Sequence, residues 1–343
     1  MIKGKSAGFL LILLHCFVLQ LPAQVLRKRY AELMGSRFDI SIIARDSLQA
    51  EQYINQVIAE ISRIELLISD WIPTSQVSEI NRQAGIRPVK VDRELLELVQ
   101  RALIFSEQTA GAFDISFAAM DRIWKFDGSM DKLPDPEQLQ KAIAGIGYRY
   151  IAVNEDSCTV FLTRPGMKIG FGATGKGYAA DRGRALMQSL QVEAGIVNAS
   201  GDLASWGSQP SGKAWRIGIA HPYKPGRSAE ILLLREGAVT TSGDYQKYAE
   251  IDGRRYSHII NPITGMPSYG LTSVTVIGPD AETCNAYSTA IMVLGKEKGM
   301  AMLRADPLYA CLLITNDGKI IRSRNFKKRP SFPGSNRNKR IKK

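Results

Sequence analysis

Between residues 49 and 68 the apolar side chains of Ile54, Val57, Ile58, Ile61, Ile64, Leu67 and Ile68 recur at spacings of three and four, the period of one helix face. A helix of that length with one continuous apolar face must be covered, so the chain has to supply a second layer against it. Asp46 and Gln49 are spaced to form a capping box at its start. A second helix is predicted from the cap Asp92, with Leu95, Leu96, Val99, Ala102 and Leu103 inward, stopping before Gly111. Asp135-Pro136 opens a third, shorter one. Strand-like stretches occur at 35–43, 151–162, 215–220, 231–234, 271–277 and 310–315, with further helices at 176–190 and 282–303. Helices and strands do not alternate strictly, which points to an α+β fold rather than a doubly wound parallel sheet.

Composition decides what the charge means. With 343 residues, 45% of them hydrophobic, the chain can bury one large core or two modest ones, which excludes disorder for most of its length. The net charge of +12 belongs to the two ends: residues 322–343 hold ten Lys or Arg and no acid, and Lys3 and Lys5 account for the rest. Residues 24–321 are therefore neutral, and no specific nucleic-acid partner is expected of them. The basic segment 322–343 reads as a solvated, disordered tail, with binding to nucleic acid or an anionic surface as the alternative. At the other end Lys3 and Lys5 precede an apolar run from Gly8 to Leu21, too short to span a bilayer comfortably, and Leu-Pro-Ala ends at Ala23. This predicts a cleaved signal over 1–23 and an exported protein, periplasmic or on the outer face of the inner membrane. An uncleaved anchor and lipidation at Cys16 are the alternatives, although His15 stands where lipidation wants a small residue. Cys158, Cys284 and Cys311 remain after cleavage, an odd number without short spacing, which argues against a zinc site or disulfide framework.

Four polar, Gly-rich segments interrupt the apolar pattern: Thr109 to Asp114, Gly170 to Tyr178, Asn198 to Asp202, and Thr240 to Asp244. Taken singly each is an ordinary turn. Together they suggest close backbone approach to a ligand, and the second runs into a helix whose N-terminal amides favour phosphate. It is not a Walker loop, because Gly177 follows Lys176 where that motif has its Ser or Thr hydroxyl. His258, in Ser257 to Gly265, is either a hydrogen-bonded structural histidine or a base. Asn285 and Thr289 lie four apart on a predicted helix and share one face. They read as hard-oxygen donors to magnesium or as plain helix-surface residues.

Met34-Gly35-Ser36, Thr109 to Asp114, Gly172 to Asp181, Asn198 to Asp202, Thr241 to Asp244, His258 to Gly265 and Asn285 to Gly295 occur in the order seen in the ApbE family of FAD:protein FMN transferases, which the chain resembles from 24 to 321. The resemblance implies an α+β, T-fold-like arrangement of mixed sheets and helices around an FAD cleft, with Mg2+ beside the diphosphate. The implied reaction transfers FMN to a Thr or Ser hydroxyl of a partner protein, expected in membrane-associated electron transport, and releases AMP. Hydrolysis of FAD to FMN and AMP and non-catalytic FAD binding are the alternatives. Carried over residue by residue, Met34, Ala112, Phe113, Asp114, Gly170, Lys176 and Ile260 would contact FAD. Ala173 through its carbonyl, with Asn285, Ser288 and Thr289, would hold the metal, and His258 would be the base. The sequence departs from the commoner pattern at Gly170, Asn261 and Asn285, each standing where the family often has Asp.

Overall fold

In a computed structural model, which describes residues 24–120, 123–243 and 248–326, the chain begins with a hairpin, β1 (Val25–Leu33) and β2 (Ser36–Ala44). Its two-residue turn, Met34 and Gly35, has positive φ at both positions, +51° and +64°, as a tight primed turn demands. Helix α1 (Ser47–Ile68) follows, and Asp46 accepts from the N–H of Gln49 at its N-terminus. The capping box is offset: the Gln49 side chain accepts from the N–H of Arg45, one residue before the cap. Next come α2 (Gln76–Arg82), β3 (Val89–Lys90) and α3 (Arg93–Gln108). Asp92 holds the cap position of α3, but its carboxylate accepts from the Gln76 side chain instead of the helix amides. Helix α4 (Pro136–Ile143) then precedes a hairpin of β4 (Ile151–Asn154) and β5 (Thr159–Leu162).

The second half carries α5 (Gly175–Ser189), β6 (Ala194–Ala199), β7 (Asp202–Trp206), β8 (Trp215–Ala220), β9 (Ser228–Leu234) and β10 (Gly237–Gly243). It closes with β11 (Tyr248–Ile251), β12 (Arg254–Ser257), β13 (Leu271–Gly278), α6 (Ala281–Arg304), β14 (Ala310–Thr315) and β15 (Ile320–Arg322). Eight strands form one sheet in the order β1-β2-β6-β7-β10-β13-β14-β15, with every pairing in it antiparallel. The fold is thus α+β as expected.

The sheet is buried on both faces. Val274 and Val276 of β13 and Leu313 of β14 face a core shared with Ile54, Ile61 and Ile64 of α1 and with Ala286 and Ile291 of α6. Their neighbours Ile277, Leu312 and Ile314 face the opposite way, against Ile219 and Leu232 of the β8–β9 hairpin. Phe326 is buried in that second core, and Arg322 pairs with Glu230 of β9. The folded body therefore runs to at least 326, five residues past the boundary expected at 321. The remainder of the tail and the segment 1–23 lie outside the described residues.

Helices α5 and α6 cross closely. A Cβ on Gly177 would stand 2.4 Å from the carbonyl oxygen of Ala281, so this glycine is required by helix packing and not by a ligand. Asp181 of α5 accepts from the N–H groups of Ala281 and Glu282 and pairs with Arg184. One carboxylate thus caps the orphan amides of α6 and fixes how its first two turns meet the sheet.

Candidate active site

A cleft of about 790 Å³ opens where the ends of these elements converge. It is lined by the 112–118 segment after α3, the 170–176 approach to α5, Ser200 and Asp202 at the β6–β7 turn, the end of β10, residues 258–260 and the first turns of α6. A second lobe of about 450 Å³ adjoins it, sharing Gly35, Asp70, Trp71 and Lys176 among its walls. That combined space suits a ligand of dinucleotide size.

Local hydrogen bonds explain how the wall segments keep their shape. Thr109 donates its hydroxyl to the Phe105 carbonyl at 2.8 Å and accepts from the Phe113 N–H at 3.1 Å, folding the chain sharply after α3. The buried Asp114 accepts from the Ser116 amide and hydroxyl and from the Tyr148 amide. Burial raises its carboxyl above the ordinary value, against those three donors. Asn81 clamps Ile169 with two bonds to its backbone, of 2.8 and 3.0 Å, and Gly170 donates to the Ile115 carbonyl. The two Gly-containing walls are thereby tied together.

Of the residues expected to contact FAD, Ala112, Phe113, Asp114, Gly170, Lys176 and Ile260 all line the main cleft, and Met34 lines the adjoining lobe. Among the expected metal donors, Ala173, Asn285 and Thr289 also line the main cleft. Ser288 stands behind the wall, its hydroxyl 2.8 Å from that of Ser242 on β10 and donating to the Asn285 carbonyl. It is not among the residues that line the cleft. The segment 240–243 is strand and not a turn, and within that motif Ser242 is the residue set against α6. Asn261 uses its side chain to accept from the Ile263 N–H, closing the turn after Ile260.

Asn285 is buried, and its Oδ1 has no hydrogen-bond partner. An orphaned carbonyl oxygen of this kind is costly unless a ligand satisfies it. With the Thr289 hydroxyl and the Ala173 carbonyl on the same cleft, it belongs to a neutral, hard-oxygen set that fits a magnesium-like cation. Groups of three or more His, Cys, Asp or Glu suited to a metal are absent among the described residues.

The cleft also carries a buried charge pair. Lys176 Nζ lies 3.8 Å from Asp202. Burial pushes the Asp202 carboxyl up to about 6, with Lys176 pulling the other way. His258 lies on the cleft wall, with the Phe126 ring edge-on to it at 6.4 Å. Trp124 braces the same region by stacking on Tyr256 and donating to the Gly265 carbonyl at 2.8 Å. The bracing residues 123–126 carried no motif, because their contribution is packing alone. A histidine, a cationic lysine, a helix N-terminus and one unsatisfied amide oxygen together suit group transfer at a phosphoryl centre.

The family model described as the ApbE family matches residues 34–313. An FAD:protein FMN transferase of Klebsiella pneumoniae (strain 342) is 33% identical over 295 residues, 85% of this chain and 90% of that protein. One from Treponema pallidum (strain Nichols) is 31% identical over 291 residues, covering 80% of each. Among solved structures, the ApbE protein from Thermotoga maritima superposes with a TM-score of 0.81 at 30% identity, over 90% of this chain and all of that one. The flavin transferase ApbE from Vibrio cholerae gives 0.78 at 28%, over 89% of this chain and 99% of its own.

Proposed function

The chain belongs to the ApbE family, and from that premise we infer that its cleft is where FAD is split and the FMN half passed on. It is a transferase, with FAD as substrate and a protein as acceptor of FMN. We read the acceptor group as a Thr or Ser hydroxyl on a membrane-associated electron-transport protein, AMP as the leaving group and magnesium as the metal. The leader, basic and then apolar, supports export to the periplasm.

One observation carries the reading: His258, Lys176 of α5, and Asn285 and Thr289 of α6, from three separate segments, face a single cleft. His258 accepts the proton of the incoming hydroxyl, a task for which imidazole is suited near neutrality. The edge-on contact with Phe126 restricts how that ring turns. As the hydroxyl oxygen bonds to the FMN phosphorus, the bond from that phosphorus to the AMP oxygen breaks. Lys176 and the first amides of α5 offset the diphosphate charge throughout. Asn285 Oδ1, Thr289 and the Ala173 carbonyl would hold magnesium, which when bound supplies positive charge beside the phosphoryl oxygens.

The test is incubation of the mature protein with FAD, magnesium and a candidate acceptor, followed by intact-mass measurement of the acceptor. The expected result is an acceptor heavier by one FMN, with one AMP released for each. Equal release of FMN and AMP with an unmodified acceptor would mean that water attacks and the protein is a pyrophosphatase.

A further inference from the structure

Asp70 follows the end of α1 in a turn that is held from within. Ser69 accepts through its hydroxyl from the N–H groups of Trp71 and Ile72, both at 3.2 Å, and Ser75 donates to the Ser69 carbonyl. The turn presents the Asp70 carboxylate at the boundary between the two lobes, since Asp70 lines both. Among the described residues this carboxylate has no hydrogen-bond or ion-pair partner. Two other carboxylates of the main cleft differ: Asp114 is saturated by three donors and Asp202 faces Lys176.

Directly across from it stands Gly170. A Cβ built on that residue would lie 3.2 Å from Asp70 Oδ2 and 3.1 Å from the Ala118 Cβ, tighter than ordinary van der Waals contact. The Gly170 backbone cannot retreat easily, because its N–H is bonded to Ile115 and the preceding Ile169 is clamped by Asn81. Glycine at 170 and a carboxylate at 70 therefore accommodate each other. Gly170 has an ordinary negative φ, so backbone conformation does not explain why it is glycine.

We propose that Asp70 is a substrate-recognition residue of the cleft, its carboxylate accepting hydrogen bonds from sugar hydroxyl or ring N–H donors of FAD, and that Gly170 lacks a side chain to leave it room. The assignment rests on the transferase reading of the cleft. A carboxylate repels phosphate and accepts from neutral donors, so Asp70 serves the uncharged parts of the dinucleotide while Lys176 serves the diphosphate. Like charge also keeps the diphosphate out of the position beside residue 70, which gives the ligand a fixed direction in the cleft.

Calorimetric titration with FAD tests this on wild type, Asp70→Asn, Asp70→Ala and the double variant Asp70→Ala/Gly170→Asp, with melting temperatures measured alongside. The exposed Asp70 supports no core contact, so both single variants should melt like wild type. A bond from a charged acceptor is worth enough that Asp70→Asn should lose about tenfold in FAD affinity. The double variant returns a carboxylate to the same place from the opposite wall and should bind within about threefold of wild type. Wild-type FAD affinity in Asp70→Asn, or a double variant no better than Asp70→Ala, overturns the proposal. A wild-type chain that does not bind FAD at all overturns the transferase reading, and this assignment with it.

Discussion

Lys176 on the first turn of α5 reaches to 3.8 Å from the buried carboxylate of Asp202 on β7. Two opposite charges on the cleft wall thereby restrain each other. Ionised Asp202 offsets the ammonium charge that a diphosphate would otherwise meet in full, so the state of this carboxyl changes how cationic the surroundings of Lys176 are.

That pair makes FAD binding depend on pH with a definite sign. Burial raises the Asp202 carboxyl from 3.8 to about 6, so the folded chain holds a proton between those values that the unfolded chain has released. Stability from this group is present at the acid end and declines as pH rises through the window. Below about 6 Lys176 is no longer neutralised, and FAD affinity should increase by about threefold between pH 7 and 5.5. Asp202→Asn should bind FAD at pH 7 as tightly as wild type does at pH 5.5, with a shallower profile between. Titration calorimetry at the two pH values measures it; an unchanged slope in the variant removes Asp202 as the cause.

Asn285 supplies a second prediction, because its orphaned Oδ1 is a neutral donor. A carboxylate attracts a divalent cation more strongly than an amide oxygen does. Asn285→Asp should bind magnesium about tenfold more tightly than wild type, and Asn285→Ala more weakly than either. Calorimetric titration with magnesium reads this without turnover. Identical metal affinity in all three proteins would take Asn285 out of the metal shell.

The chain end supplies a third. Phe326 is 6% exposed and packs against the β8–β9 side of the sheet, so Phe326→Ala should cost about 3 kcal/mol. Truncation after Phe326 should leave melting temperature and FAD affinity unchanged, whereas truncation after Ile321 should lower the melting temperature. Thermal unfolding of the two truncated proteins decides it, and equal stability would place Phe326 outside the core.

What the sequence disclosed follows the physics of each element. Helix α1 was legible because Ile54, Val57, Ile61, Ile64 and Ile68 keep the helical period against one covered face. Strands β6, β7 and β10 were not, since AGIVNA, DLASW and GAVTTSG are rich in small residues and covered on both sides of the sheet, which erases the alternation by which strands are read. Strand β1 hid for the opposite reason: VLRKRYAEL is a largely exposed edge strand whose charges guard it from further pairing. In the cleft, motif residues were legible as a set, but not which of them face the ligand. Ser288 belongs to the motif and stands behind the wall. Glycine at 170 is visible in the sequence, whereas the carboxylate of Asp70 beside it is not, because a hundred residues separate them.

The last prediction concerns His258, on which the proposed transfer most depends. It shares the cleft wall with Lys176, Asn285 and Thr289, and a positioned base contributes roughly 10²–10⁴ in rate. His258→Asn should therefore slow FMN transfer by about that factor while leaving FAD affinity and melting temperature near wild type. A histidine that only packs against Phe126 would behave differently: its loss would lower the melting temperature and FAD affinity together, with no selective effect on the chemical step. Measuring transfer rate, FAD affinity and melting temperature on this variant separates the two roles. Full transfer by His258→Asn would move the search for the base to Asp202, the remaining cleft carboxylate whose proton leaves near neutrality.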